Sequence, residues 1–170
     1  VSDVHGYRDD LERGLDEAGF GDGDELWILG DLVDRGPDGI GVIDLVMSLQ
    51  QQYPGHVHML MGNHEILALG RYRFPSSKFA ESWLINGGKR RDQAGLTDEH
   101  IDWLATLPLM GLAGEFLLMH SDTTEYLAWG DSIDEVNESV RSSLADADDL
   151  EAHWDVWARL TSRYDFALRT

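Results

Sequence analysis

The sequence predicts an α/β protein of a single domain. Apolar runs alternate with helical patterns over the first third of the chain, in the order strand, helix, strand, helix, strand. That order builds a parallel sheet. Each of the three strands ends in a string that sets glycine beside metal- or phosphate-binding side chains: Asp3-Val4-His5-Gly6, Gly30-Asp31-Leu32-Val33-Asp34-Arg35-Gly36 and Gly62-Asn63-His64-Glu65. Ligands of such sheets sit beyond the carboxyl ends of the strands, so strings and topology agree. A chain of 170 residues, 42% of them hydrophobic, can bury one sizeable core.

The elements follow in order. Val1–Ser2 reads as the tail of a strand. Tyr7–Ala18 reads as a helix, with Leu11 and Leu15 four apart on one face. Glu25–Leu29, apolar from Leu26 onward, is a short buried strand. Pro37 suits the opening of the next helix, which runs to about Gln52 and gathers Ile40, Ile43, Val46 and Met47 on one side. Pro54-Gly55 breaks it, and His56–Met61 is the third strand. From Arg71 to Asn86 the chain is aromatic and reads as irregular (Tyr72, Phe74, Phe79, Trp83), so residues 71–96 are expected to form a cap or loop insertion rather than a core element. Thr97 predicts the cap of a helix over Asp98–Thr106 with Ile101 and Leu104 inward. Leu107–Leu112 and Glu115–Met119 read as two strands joined at Ala113-Gly114, the second delivering His120. Ser132 and Glu135 make a capping-box pattern for an acidic helix to Leu144. After the acidic linker Ala145–Asp149, residues Leu150, Trp154, Trp157 and Tyr164 form a helical stripe, so residues 123–170 read as a helical, cap-like region. No internal repeat is present.

The formal charge is −19, from 32 acidic and 13 basic residues. Such a surface repels nucleic acid and anionic membranes. It also repels a phosphorylated substrate, so a site for one must create local positive potential, from divalent ions and from Arg35. The acidity as a whole reads as a solubility trait. There are no cysteines, which excludes disulfides and thiolate metal sites and permits a reducing compartment. No apolar run approaches a membrane span, and the expected location is the cytoplasm. The chain opens at Val1 inside a strand, so earlier residues are expected.

The strings carry chemistry in combination. Asp3 and His5 alternate along an extended segment and can face one ion. Carboxylate plus imidazole suits Mn, Fe or Zn better than Mg or Ca. Asp31 can bridge two ions with its two oxygens, while Gly30 lets backbone approach them. Arg35 offers a fork of donors to phosphate oxygens. Asn63 supplies a neutral oxygen ligand. His64, with Asp34 on one ring nitrogen, can protonate a leaving alkoxide from the other. Glu65 reads as support. His120, at a strand end, can be a ligand to a second ion. His56, His58, His100 and His153 lack such settings and read as structural.

These three strings resemble the signature of calcineurin-like metallophosphoesterases, and Asp34-Arg35 with Glu65 resembles the phosphoprotein phosphatase branch in its bacterial form. The resemblance covers about Val1 to Ser121. It implies a β-sandwich flanked by helices, in α/β/β/α layers. It implies two divalent metal ions, Mn2+ foremost with Fe or Zn as alternatives: Asp3, His5 and Asp31 on one, and Asp31, Asn63 and His120 on the other. It further implies in-line attack by a metal-bridging hydroxide, His64 oriented by Asp34 as the acid, and Arg35 on the phosphoryl oxygens. The family also tends to have a second phosphate arginine, for which Arg159 is the candidate and Arg163 the alternative. Ser2 stands where the family usually has Gly. His120 is followed by Ser121-Asp122 in place of small residues. The last ligand histidine of the family has no counterpart after His120, since His153 lies in a Trp-rich helix, and is expected beyond Thr170; truncation at both ends is therefore expected.

The expected activity is phosphoester hydrolysis, as a serine/threonine-type protein phosphatase acting on a phosphorylated protein or small phosphoester, with no nucleic-acid or membrane partner. One alternative is a dinucleoside polyphosphate hydrolase of the diadenosine tetraphosphate type, whose members usually carry Ala at the position of Asp34 and Asp at that of Glu65. The other is an inactive phosphate-binding scaffold. Oligomeric state, physiological substrate and the metal used in cells are not legible.

Overall fold

The computed structural model describes residues 1–162. Tyr164 and Arg163, named above, lie outside the described residues. The fold is mixed α/β. Strand β1 (Leu26–Ile28) pairs in parallel with β2 (Val57–Met59), Trp27 opposite His58. The segment from Val1 to Gly6 runs along the other edge of β1: the amide of Leu29 donates to Val1 O (2.9 Å), that of Asp3 to Gly30 O (3.1 Å) and that of His5 to Asp31 O (2.8 Å). Helix α1 (Arg8–Ala18) and helix α2 (Gly39–Gln52) provide the crossovers. Asp38 caps α2, its Oδ1 accepting from the Gly41 amide at 3.0 Å, which starts the helix two residues after Pro37. The core under this sheet is built from Ile28, Met59, Val42, Ile43 and Val46.

Helix α3 (Asn63–Arg73) follows β2 at once and is buried from Asn63 to Gly70. Its apolar and small run Ile66–Gly70 lies inside the fold, and α3 packs against four other helices. Gly70 permits one of these contacts: a Cβ there would lie 2.4 Å from the Phe79 ring.

Residues 71–96 depart from the irregular insertion expected of them. They hold the end of α3, then α4 (Lys78–Ile85) and α5 (Arg90–Gly95). Ser77 caps α4 by accepting from the Phe79 amide at 3.2 Å, and Phe79 and Trp83, four apart, turn into the core. Helix α6 (Asp98–Ala105) is capped by Thr97, with His100 Nδ1 accepting in return from the Thr97 amide (3.2 Å). Strands β3 (Met110–Ala113) and β4 (Phe116–Met119) form an antiparallel hairpin, linked to the end of β2 by the Met61 amide donating to Pro108 O (2.8 Å). A 3-10 turn over Glu125–Ala128 precedes α7 (Ile133–Ala145) and α8 (Leu150–Thr161). Buried His153 fastens α8 to α3: its Nδ1 donates to Asp149 O (2.7 Å) and its Nε2 accepts from Arg73 (2.7 Å).

Candidate metal and phosphate site

The three strand-end strings and His120 meet on one rim. The backbone that carries them is unusual. Asp3, His5, Asp31, Asp34 and Arg35 all have positive φ, between 46° and 67°. Each such non-glycine residue costs about 1–3 kcal/mol unless its surroundings hold it. The extended alternation expected of Asp3 and His5 is therefore not what brings them together; two left-handed residues flanking Val4 do. Their side chains still approach, His5 Nε2 lying 3.8 Å from Asp3 Oδ1. Gly36 shows how tight the turn is, since a Cβ there would stand 2.0 Å from His5 O.

Buried carboxylates hold this backbone. Glu65, wholly buried at the first turn of α3, accepts three amides: Asp31 (2.7 Å) and Gly62 (2.9 Å) on Oε2, and Leu32 (2.7 Å) on Oε1. It thereby ties the end of β1 to the end of β2. Asp92, from α5, accepts from the amides of Asp34 (3.2 Å) and Gly39 (3.3 Å). Burial, then the neighbouring charge of Asp31, raises the Glu65 pKa. Burial raises that of Asp92 as well.

Asp31 is the centre. It is fully buried, and its Oδ1 accepts from the His64 amide at 3.0 Å. His5 Nε2 lies 3.5 Å from its Oδ2, and His120 Nε2 lies 3.5 Å from its Oδ1. His5 donates from Nδ1 to Val33 O (2.9 Å), which leaves Nε2 with its lone pair toward Asp31. His5 Nε2 and Asp31 Oδ2 are buried without a hydrogen-bond partner. Burial, the largest influence on His5, lowers its pKa and keeps the ring neutral, as a ligand requires. His120 repeats the pattern: Nδ1 donates to Leu29 O (2.7 Å), and Nε2 faces Asn63 Oδ1 at 2.9 Å. A neutral ring has only one N–H to give. An imidazole nitrogen, an amide oxygen and a carboxylate that converge on one point can serve a divalent cation. The residues fit the implied metals on both sides of Asp31, with exposed Asp3 reaching the His5 side.

His64 stands at the start of α3, fully buried, its ring 4.7 Å from that of His5. One ligand-type atom each of His5, Asp31 and His64 lie within 4.8 Å of one another. Both nitrogens of His64 are nevertheless engaged elsewhere: Nδ1 donates to Asp34 Oδ2 (2.8 Å) and Nε2 accepts from Arg35 (3.1 Å). Burial alone would lower the His64 pKa; the bond to Asp34 and the charges of Asp31, Asp34 and Glu65 outweigh it and raise it. Asp34 is itself fixed, its Oδ1 accepting from Trp83 Nε1 (3.1 Å) and the Lys89 amide (3.2 Å). Arg35 is anchored by its amide to Gly87 O (3.1 Å).

Arg159 is not brought to this cluster by its contacts. Its guanidinium is committed to Asp155 (2.8 Å) and Glu125 (2.6 Å) and lies over the Trp129 ring. Sequence reasoning missed Trp83 and Asp92. The i, i+4 spacing of Phe79 and Trp83 behind the cap residue Ser77 was a signal for the first; Asp92, in a six-residue helix, offered none.

Buried Asp31 thus lies between His5 Nε2, which has no hydrogen-bond partner, and His120 Nε2, which faces Asn63 Oδ1, beside the Asp34–His64–Arg35 chain; such a donor set can serve metal-assisted phosphoester chemistry. The model of the family described as calcineurin-like phosphoesterase matches residues 1–168, and the chain belongs to that family. It is 32% identical over 168 residues to serine/threonine-protein phosphatase PP1-delta of Caenorhabditis elegans, covering 92% of this chain and 52% of that protein. It is 33% identical over 128 residues to the symmetrical bis(5'-nucleosyl)-tetraphosphatase of Aromatoleum aromaticum, covering 71% of this chain and 42% of the relative. Among solved structures it resembles the cold-active protein-tyrosine phosphatase of a psychrophilic Shewanella, with a TM-score of 0.63 at 26% identity over 88% of this chain and 48% of the other. The chain thus spans about half the length of the relatives it matches. Among the described residues no helix is long and apolar enough to cross a membrane.

Proposed function

We propose that the protein is a dinuclear-metal phosphomonoesterase of the serine/threonine protein phosphatase type. The observation that carries the reading is the chain Asp34–His64–Arg35 set against the Asp31 cluster. Asp3, His5 and Asp31 would hold one divalent ion, and Asp31, Asn63 and His120 the other, with Mn2+ foremost and Fe or Zn as alternatives for this mixed oxygen and imidazole set. When bound, the ions supply Lewis-acid charge and an acidified water to the phosphoryl group.

The chain's own groups do the rest. With Arg35 donating to Nε2, His64 carries its proton on Nδ1 and is not yet an acid toward substrate. A phosphoryl oxygen is a better acceptor for the guanidinium than an imidazole nitrogen. Arg35 turning to the phosphate frees Nε2 to take a proton, which the Asp34 carboxylate stabilises, and His64 then donates it to the departing alkoxide. Binding and acid loading are coupled through one side chain. Asn63, beside His120, can add a donor from its amide nitrogen to the phosphate. Arg159 would join the phosphate site only by leaving Glu125 and Asp155.

A second reading, hydrolysis of dinucleoside polyphosphates, is favoured by the similar identity to a symmetrical tetraphosphatase. Asp34 and Glu65, with their present bonds, favour the first. The test is hydrolysis by the full chain with Mn2+ of phosphoserine and phosphothreonine peptides, p-nitrophenyl phosphate and diadenosine tetraphosphate. A phosphopeptide kcat/KM below that for the dinucleotide overturns the preference for protein substrates. Turnover that survives chelation or Asp31→Asn overturns the two-metal reading.

A further inference from the structure

We infer that helices α4 and α5 carry an anion subsite beside the phosphate site, selecting phosphopeptides with acidic residues next to the phosphorylated side chain; the inference rests on the protein phosphatase reading above. In a chain of charge −19, residues 71–91 run against the trend, with Arg71, Arg73, Lys78, Lys89, Arg90 and Arg91 against the single acid Glu81. Some of these cations serve the fold. Arg73 bonds Leu144 O and His153, Lys78 pairs with Glu151, and Arg91 stands 3.7 Å from Asp92. Arg71, which also donates to Pro75 O (2.9 Å), and Arg90 line a cleft of about 390 Å3 together with Trp83, Leu84 and Gln93.

Trp83 joins this cleft to the catalytic side. Its Nε1 donates to Asp34 (3.1 Å), while its ring lies under the Arg71 guanidinium, 5.7 Å from centroid to Cζ. The loop between α4 and α5 makes the same connection through the backbone, Gly87 O accepting from Arg35 and the Lys89 amide donating to Asp34. The cleft is thus one indole away from the residue that orients His64. Gln93 adds a polar side chain to the lining. Neighbouring acids are engaged: Asp92 is buried on two amides, and Asp98 accepts from Tyr72. Two guanidiniums match carboxylates on an extended peptide, and they reverse locally the repulsion that the rest of the surface exerts on such a substrate.

The test uses the full chain and fluorescein-labelled phosphoserine peptides that differ only in having acidic or neutral flanks. Binding is read by fluorescence anisotropy without metal, and hydrolysis in parallel with Mn2+. The wild type should bind the acidic peptide about tenfold more tightly at low ionic strength, with the difference shrinking as salt rises. Arg90→Glu should erase that preference and Arg90→Lys restore it, with circular dichroism confirming the fold of both. Equal binding of the two peptides by the wild type, or a preference that survives Arg90→Glu, overturns the subsite. Preferential binding with no hydrolysis of any phosphopeptide supports the subsite and sinks the phosphatase reading instead. Diadenosine tetraphosphate binding more tightly than the acidic peptide, and equally weakened by Arg90→Glu, overturns the peptide assignment.

Discussion

Replacing Asp34 by Asn tests the proposed acid most directly. The carboxylate accepts from His64 Nδ1 on one oxygen (2.8 Å) and from Trp83 Nε1 (3.1 Å) and the Lys89 amide (3.2 Å) on the other. Asn keeps one acceptor. Its oxygen stays with Trp83 and Lys89, and its NH2 then faces His64. The imidazole must accept at Nδ1 and carry its proton on Nε2, where Arg35 already donates from 3.1 Å. Either bond is lost, and so is the negative charge that favours imidazolium. A hydrogen bond to a charged group is worth about 1.5–3 kcal/mol, so a loss realised in the transition state lowers kcat about 10- to 150-fold. The loss should fall on a phosphoserine peptide, whose alkoxide needs the proton, far more than on p-nitrophenyl phosphate. The pH profile follows the same logic. The His64 pKa is raised, burial being outweighed by Asp34 and its acidic neighbours. Activity that needs protonated His64 is therefore complete below that pKa and lost as pH rises through it. Asp34→Asn should move this alkaline fall in kcat to lower pH. Equal losses for both esters, with the alkaline limb unmoved, would refute the role of His64 as the acid.

Three further outcomes can be measured. Mn2+ at a hundred times its dissociation constant should add about 2.7 kcal/mol to stability, seen as a rise in Tm; Asp31→Asn should abolish the rise, and a rise retained in the variant would put the ions elsewhere. Glu65→Gln leaves one carbonyl oxygen for three backbone amides and should cost about 1–3 kcal/mol in urea denaturation; an unchanged midpoint would mean that Glu65 does not hold the two strand ends. Trp83→Phe keeps an aromatic ring but removes the indole N–H that bonds Asp34, for a loss of about 1 kcal/mol that lowers kcat on phosphopeptides; a change in KM alone would show that Trp83 acts on binding rather than through Asp34.

Much of the fold is legible because its signals are local. Leu26 to Leu29 is apolar without a break, Thr97 and Ser132 cap the helices that follow them, and Ala113-Gly114 turns the hairpin. Residues 71–96 were misread because their helices are too short to declare themselves. An eight-residue helix has little stability of its own, and α4 exists through what Phe79 and Trp83 bury. The residue types of the site could be read from the strings, but not how they meet. An Asp-x-His string looks extended on paper, whereas Asp3 and His5 are left-handed and are held there by bonds to the end of β1.

The acids of this chain fall into two populations, and only one is visible in the net charge. Among the described residues the buried acids are Asp31, Asp34, Glu65 and Asp92, and all four belong to the site. Three of them accept backbone amides from the positive-φ turns or from the loop beside Arg35, so they hold the strain that shapes the rim. Packing four carboxyl groups so closely carries its own cost. The Glu65 pKa is raised by burial and by Asp31, and that of Asp92 by burial with a further push from Asp34. Protonating these acids would relieve the repulsion but would weaken the bonds that keep the backbone in place. Divalent ions held at Asp31 would relieve it without touching Glu65, Asp34 or Asp92, whose oxygens point to amides and rings. On the proposed reading the turns and the metals would stabilise one another: the buried carboxylates shape the cradle, and the cations would make that density of negative charge tolerable.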